Sequence, residues 1–170
     1  PVDIDGLVSP EQVKAAIRPD TILISIMFAN NEIGTIQPIA EIGKITKGKG
    51  IIFHTDAVQA LGNVNISVKD MNIDMLSMSA HKFYGPKGVG ALYVNKGVKL
   101  SYFIHGGAQE RGRRAGTENV PAIVGMARAL EIAVANTERY NKKLTALRDR
   151  TIREIEETIP FVKLNGHKTK

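Results

Sequence analysis

The stretch Ser77-Met-Ser-Ala-His-Lys82-Phe-Tyr-Gly-Pro-Lys-Gly88-Val-Gly90 decides the fold. It closes the apolar run that begins at Ile73, breaks into a turn rich in Gly and Pro, and resumes as Gly90-Ala-Leu-Tyr-Val94. That pattern predicts strand, turn, strand. Lys82 sits at the corner, among Ser79, His81 and glycines. A lone lysine in a loop is ordinarily a solvated surface residue. One backed by a buried sheet is instead partly desolvated and held still, the setting in which an amine forms a Schiff base.

Upstream, Ile51-Ile-Phe-His-Thr-Asp56-Ala-Val-Gln59 is an apolar strand that ends by presenting polar side chains. Asp56 has two readings. It is either the cap of a helical segment opening at Ala57 or a ligand-binding group outside the carboxyl end of a strand. Paired with a strand-end lysine, it meets the demand of pyridoxal 5'-phosphate: an amine for the aldehyde and a carboxylate for the pyridinium nitrogen.

Working outward, the chain alternates helix and strand. Ser9-Pro10-Glu11-Gln12 reads as a capping box with proline at the first helical position, opening a helix to about Ile17. Thr21 to Ala29 is nearly all apolar, as in a strand buried on both faces of a parallel sheet. Ile39, Ile42 and Ile45 share a face of a helix that stops at Lys47-Gly-Lys-Gly50. Beyond a glycine-rich loop from His105 to Gly116, Pro121 opens a helical pattern through Val134. A second helical stretch follows from Leu144 to Pro160. Phe161 to Asn165 reads as a further strand. The fold class is α/β: a three-layer, mostly parallel sheet flanked by helices.

At 170 residues, 43% hydrophobic and 24% charged, the composition suits one globular domain with a sizeable core. No unbroken apolar run reaches the length of a membrane span and no signal peptide is visible, so no membrane partner and a cytoplasmic location are expected. The net charge of +6 invites nucleic acid, but the basic residues are scattered and aromatics make up only 5%. No nucleic-acid partner is expected. The one dense basic cluster, Arg111, Arg113 and Arg114, is either a solvated loop or a site for an anion such as phosphate or carboxylate.

Four segments carry a resemblance: Ala29-Asn-Asn31-Glu-Ile-Gly34, His54-Thr-Asp56-Ala-Val-Gln59, Ser79-Ala-His-Lys82-Phe-Tyr-Gly-Pro-Lys-Gly88, and His105 through Arg113-Arg-Ala-Gly-Thr117-Glu-Asn. In that order, the sequence resembles the NifS-like cysteine desulfurases of the class V aminotransferase group over essentially its whole length. The resemblance implies an incomplete large cofactor domain over 1–160 and the start of a small C-terminal domain over 161–170. Pyridoxal 5'-phosphate would be the cofactor, L-cysteine the substrate, and an iron-sulfur scaffold protein a typical sulfur acceptor.

By the same resemblance, Lys82 binds the cofactor aldehyde and moves the substrate α-proton, Asp56 faces the ring nitrogen, and Gln59 and Asn31 contact the phenolic oxygen. Asn31 competes with a plain turn role. Ser79 and His81 match phosphate ligands. Thr117 matches a residue reaching the neighbouring subunit's phosphate, which implies a homodimer. His105 is family-like in position without an assigned step, and His54 reads as structural, packed at the strand end. The family passes sulfur to an enzyme cysteine as a persulfide, and this sequence contains no cysteine. The chain is therefore expected to be a piece of a longer polypeptide. The alternatives are another class V enzyme, a selenocysteine lyase or an aminotransferase, or an inert dimerising or binding unit.

Overall fold

Alternation along the strands sets the layers. A computed structural model describes residues 1–169. In β2 (Ile52–Asp56), Phe53 and Thr55 are buried while His54 and Asp56 are half-exposed on the opposite face. The sheet runs β1 (Leu23–Met27), β2, β3 (Met75–Ser79), β4 (Gly90–Val94) in spatial order. β1, β2 and β3 are mutually parallel, and β4 returns antiparallel to β3, with Ser79 opposite Gly90. This mostly parallel sheet with helices is the expected α/β class.

One face is covered by α2 (Ile39–Gly48), whose Ile39 and Ile42 join Phe28, Phe53, Ile73 and Leu76 in the main core. Gly43 and Thr46, rather than Ile45, take the other buried positions of α2. Gly43 lies so close to the Met71 carbonyl that a Cβ would collide with it. α1 (Pro10–Ala16) is capped by Ser9, whose Oγ accepts from Gln12 N at 3.3 Å. The reciprocal bond of a capping box is replaced by Ser9 Oγ donating to Glu11 Oε2 at 3.0 Å.

Three sequence expectations are corrected. β1 is an edge strand, with Ile22 80% exposed and Leu23 also open to solvent. Burial on both faces requires neighbours that this sheet does not place beside it. The two helical stretches beyond Pro121 are one helix, α4 (Val120–Thr158), capped by Asn119. Its inward stripe continues from Met126 and Ala133 through Thr137 and Asn141, whose side chains donate to Gly62 O and Asn63 O at 3.1 and 2.7 Å. The apolar pattern fades there because the helix packs against carbonyl groups. Finally, Phe161 to Asn165 forms no strand. The chain turns at Phe161 and comes back to the loop after β1, where His167 N donates to Thr35 Oγ1 at 3.2 Å.

Thr35 is fully buried and also donates to Asp5 O at 2.7 Å, so three distant segments meet at one hydroxyl. Within α4 an 18-residue window has a mean hydropathy of 1.2 and the length of a membrane span. That part of the helix packs Met126 and Ala133 into a protein core, carries the Arg128–Glu131 ion pair at 3.0 Å, and leaves Ile123, Val124, Ile132 and Val134 exposed.

Candidate functional site

The candidate residues gather where β1, β2 and β3 end. Phe28 N donates to Asp56 O at 2.8 Å and Ala57 N to Ser77 O at 3.1 Å, which levels the carboxyl ends of the three strands. In an open α/β sheet that edge is where ligands bind.

Asp56 serves both of its sequence readings with separate oxygens. Oδ1 accepts from Val58 N at 2.9 Å and shapes the turn at 58–60, while Oδ2 has no partner among the described residues. A carboxylate so placed has one oxygen fixed by the backbone and one open to a cationic group. After β1, the turn is made by Asn30, whose Oδ1 accepts from Glu32 N and Ile33 N at 2.9 and 3.0 Å. Asn31 is thereby relieved of turn duty and stands exposed, its amide without a hydrogen bond among the described residues. Gln59 is half-buried just beyond Asp56, and its side chain likewise has no hydrogen bond there.

β3 runs straight into a 3-10 turn, Ala80–Phe83, that carries Lys82. Ala80 and Phe83 take the inward positions, with Ala80 N donating to Val89 O at 3.1 Å and Gly85 N to Ala80 O at 2.8 Å. Gly90 is required where β4 begins, since a Cβ there would lie 2.6 Å from Met78 O. Tyr84 closes the turn in the left-handed conformation at φ 65° with its side chain 93% exposed. This packing turns Lys82 outward. The expectation of a desolvated amine is therefore corrected: Lys82 is exposed, and it has no ion pair or hydrogen bond among the described residues. Beside it, Ser79 Oγ and His81 Nδ1 lie 2.9 Å apart, a hydroxyl and an imidazole on one side of the turn.

Not all the candidates join this cluster. Thr117 is exposed in the loop before α4 and hydrogen-bonds to none of the other candidates. His105 stacks edge-on against Tyr102, with centroids 5.0 Å apart. Arg111, Arg113 and Arg114 are exposed around a distorted turn, α3 (Gln109–Gly112), with Glu110 and Arg111 at φ 50° and 57°.

His54 has more partners than a residue merely packed at a strand end. Its Nδ1 lies 2.7 Å from Ser25 Oγ of β1 and its Nε2 2.8 Å from Ser77 Oγ of β3. Burial lowers its pKa from the ordinary 6.5, opposed by the nearby Asp56 carboxylate. Nothing in the sequence pattern alone singles out Ser25 or Ser77 as partners of His54. The signal available in the sequence is a polar residue at the middle position of each of the three parallel strands.

A strand-end carboxylate with a free oxygen, an unpaired lysine on the neighbouring turn and a hydroxyl with an imidazole beside it form one coherent donor set. The family described as aminotransferase class-V matches residues 1–170, and the chain belongs to it. A cysteine desulfurase IscS of Clostridium botulinum (strain Hall) is 65% identical over 168 residues, 99% of this chain and 42% of that protein. Among solved structures, a NifS-like protein superposes with a TM-score of 0.88 at 47% identity, covering 92% of this chain and 44% of that one. SspA in complex with cysteine superposes at 0.74 with 53% identity, covering 76% and 38%. The chain thus spans less than half the length of the relatives it matches.

Proposed function

We propose that the chain is the lysine-bearing part of a cysteine desulfurase that uses pyridoxal 5'-phosphate to take sulfur from L-cysteine, leaving L-alanine. The observation that carries this reading is the pairing of Asp56 Oδ2, open at the end of β2, with Lys82, unpaired on the turn that follows β3. The donor set fits the cofactor. Asp56 suits a protonated ring nitrogen, Ser79 and His81 suit phosphate oxygens, and Asn31 and Gln59 offer amides for a phenolic oxygen. When bound, the cofactor supplies an aldehyde for amines and an electron-withdrawing ring. Lys82 Nζ would hold that aldehyde and, as a free amine, would take the α-proton of the substrate and return it. The likeness to a protein solved with cysteine supports the choice of substrate.

The rest of the reading belongs to the whole protein: a cytoplasmic homodimer in which Thr117 reaches the partner's phosphate site, passing sulfur to an iron-sulfur scaffold protein. One observation favours a second reading, an inert dimerising or binding unit: the 170 residues hold no cysteine to accept sulfur.

Reduction with borohydride after incubation with pyridoxal 5'-phosphate tests the cofactor assignment. A single adduct on Lys82, lost in Lys82→Ala, is the expected result. Adducts scattered over the exposed lysines, or none, would overturn it.

A further inference from the structure

His54 lies two residues before Asp56 on the same face of β2. Its ring reaches one hydroxyl on each neighbouring strand, 2.7 Å to Ser25 and 2.8 Å to Ser77. Ser77 is the register partner of Asp56 on β3, and Ser25 that of His54 on β1. The ring thus ties three strands together one step below the open carboxylate. An uncharged imidazole has one donor and one acceptor, and a hydroxyl answers either. Both ring nitrogens are therefore satisfied without a charge.

We propose that His54 is a positioning residue for Asp56: as an uncharged bridge between Ser25 and Ser77 it fixes the strand end that carries the carboxylate and leaves its negative field to a cationic ring nitrogen. This rests on the pyridoxal phosphate reading above. The groups facing the ring are the Ser25 hydroxyl from β1, the Ser77 hydroxyl from β3 and, on its own strand, Asp56, the one titratable group whose charge acts on it among the described residues. A proton on His54 would place a cation about 7 Å from Asp56, two residues along a strand. It would compete with the ring nitrogen for the same carboxylate.

The linkage has a definite sign. The lowered pKa means that the protonated ring is disfavoured in the folded chain. A cationic ring nitrogen on Asp56 offsets the carboxylate's pull and lowers the His54 pKa further. By reciprocity, cofactor affinity falls as pH drops through the lowered His54 pKa, below the ordinary 6.5, and is full above it.

The test uses the full chain with pyridoxal 5'-phosphate, reading apparent affinity from the absorbance of the bound cofactor at pH 8 and pH 5.5. The His54 ring is titrated by NMR with and without cofactor. His54→Gln keeps a donor and an acceptor but takes no charge; His54→Leu removes both. The cofactor phosphate and His81 are common to all three proteins, so differences between them isolate His54. At pH 8 the Gln variant is expected to bind like wild type and the Leu variant about tenfold more weakly, the worth of lost hydrogen bonds. On going to pH 5.5, wild type is expected to lose more affinity than the Gln variant. The NMR pKa of His54 is expected to fall on binding.

Superimposable pH profiles for wild type and Gln, or a His54 titration that cofactor leaves unmoved, would overturn the proposal. These two readouts do not depend on the Leu variant folding. Absence of a Lys82 adduct in wild type would overturn the cofactor reading and this proposal with it. A Lys82 adduct with His54 unmoved would overturn this proposal alone.

Discussion

Thr55 turns its hydroxyl into the apolar side of β2, where the oxygen is buried and meets no partner among the described residues. A buried hydroxyl without a hydrogen bond loses its hydration with nothing in exchange. Thr55→Val keeps the shape and removes that loss, so the variant is expected to gain about 1 kcal/mol in urea unfolding. A variant less stable than wild type would show that the oxygen has a partner in solution. Its neighbours on the strand illustrate how far single residues were legible. Asp56 stands out because an apolar run stops there, and Lys82 because it sits in the turn between two apolar runs. The Ser25–His54–Ser77 bridge does not, because it depends on which residues face each other across strands 29 and 23 positions apart. The exposure of Lys82 was hidden for a related reason: which side of a short turn faces inward is set by what packs there, here Ala80 and Phe83.

At the scale of elements, two glycines in α2 separate packing from propensity. Gly43 faces the Met71 carbonyl, whereas Gly48 has open space around its missing Cβ. Alanine raises helix propensity by up to about 1 kcal/mol at either position. At Gly43 the collision outweighs that gain, and Gly43→Ala is expected to destabilise the fold by about 1–3 kcal/mol. Gly48→Ala is expected to be neutral or mildly stabilising. Urea midpoints of the two variants check both, and equal midpoints would mean that α2 rides higher over Met71 than described. The periodicity that placed α2 and β2 in the sequence is the direct imprint of a core on one face. It misled at β1, because an apolar run reports the capacity for burial and not the presence of a neighbour. It also misled at 135–143, because Thr137 and Asn141 fill inward positions with side chains that bond to loop carbonyls.

For the molecule as a whole, the site and the complete reaction are different matters. The strand ends bring together a carboxylate, a lysine, a hydroxyl and an imidazole, but no cysteine exists in these 170 residues to receive sulfur. The isolated chain with added cofactor is expected to release no sulfide from L-cysteine beyond what the free cofactor releases. Sulfide production above that level, measured with dithiothreitol present, would sink the expectation. The hydroxyl of Thr35 adds a consequence in time. β1, α2 and β2 close on one another over short stretches of chain, whereas the bond from His167 to Thr35 spans 132 positions. The entropy of closing a loop rises with its length, so long-range contacts form after local ones have shortened the effective path. The Asn30 turn can therefore form early, while its bracing from behind by the returning chain comes later. The turn that carries Asn31 is thus braced by a segment more than a hundred positions away along the chain.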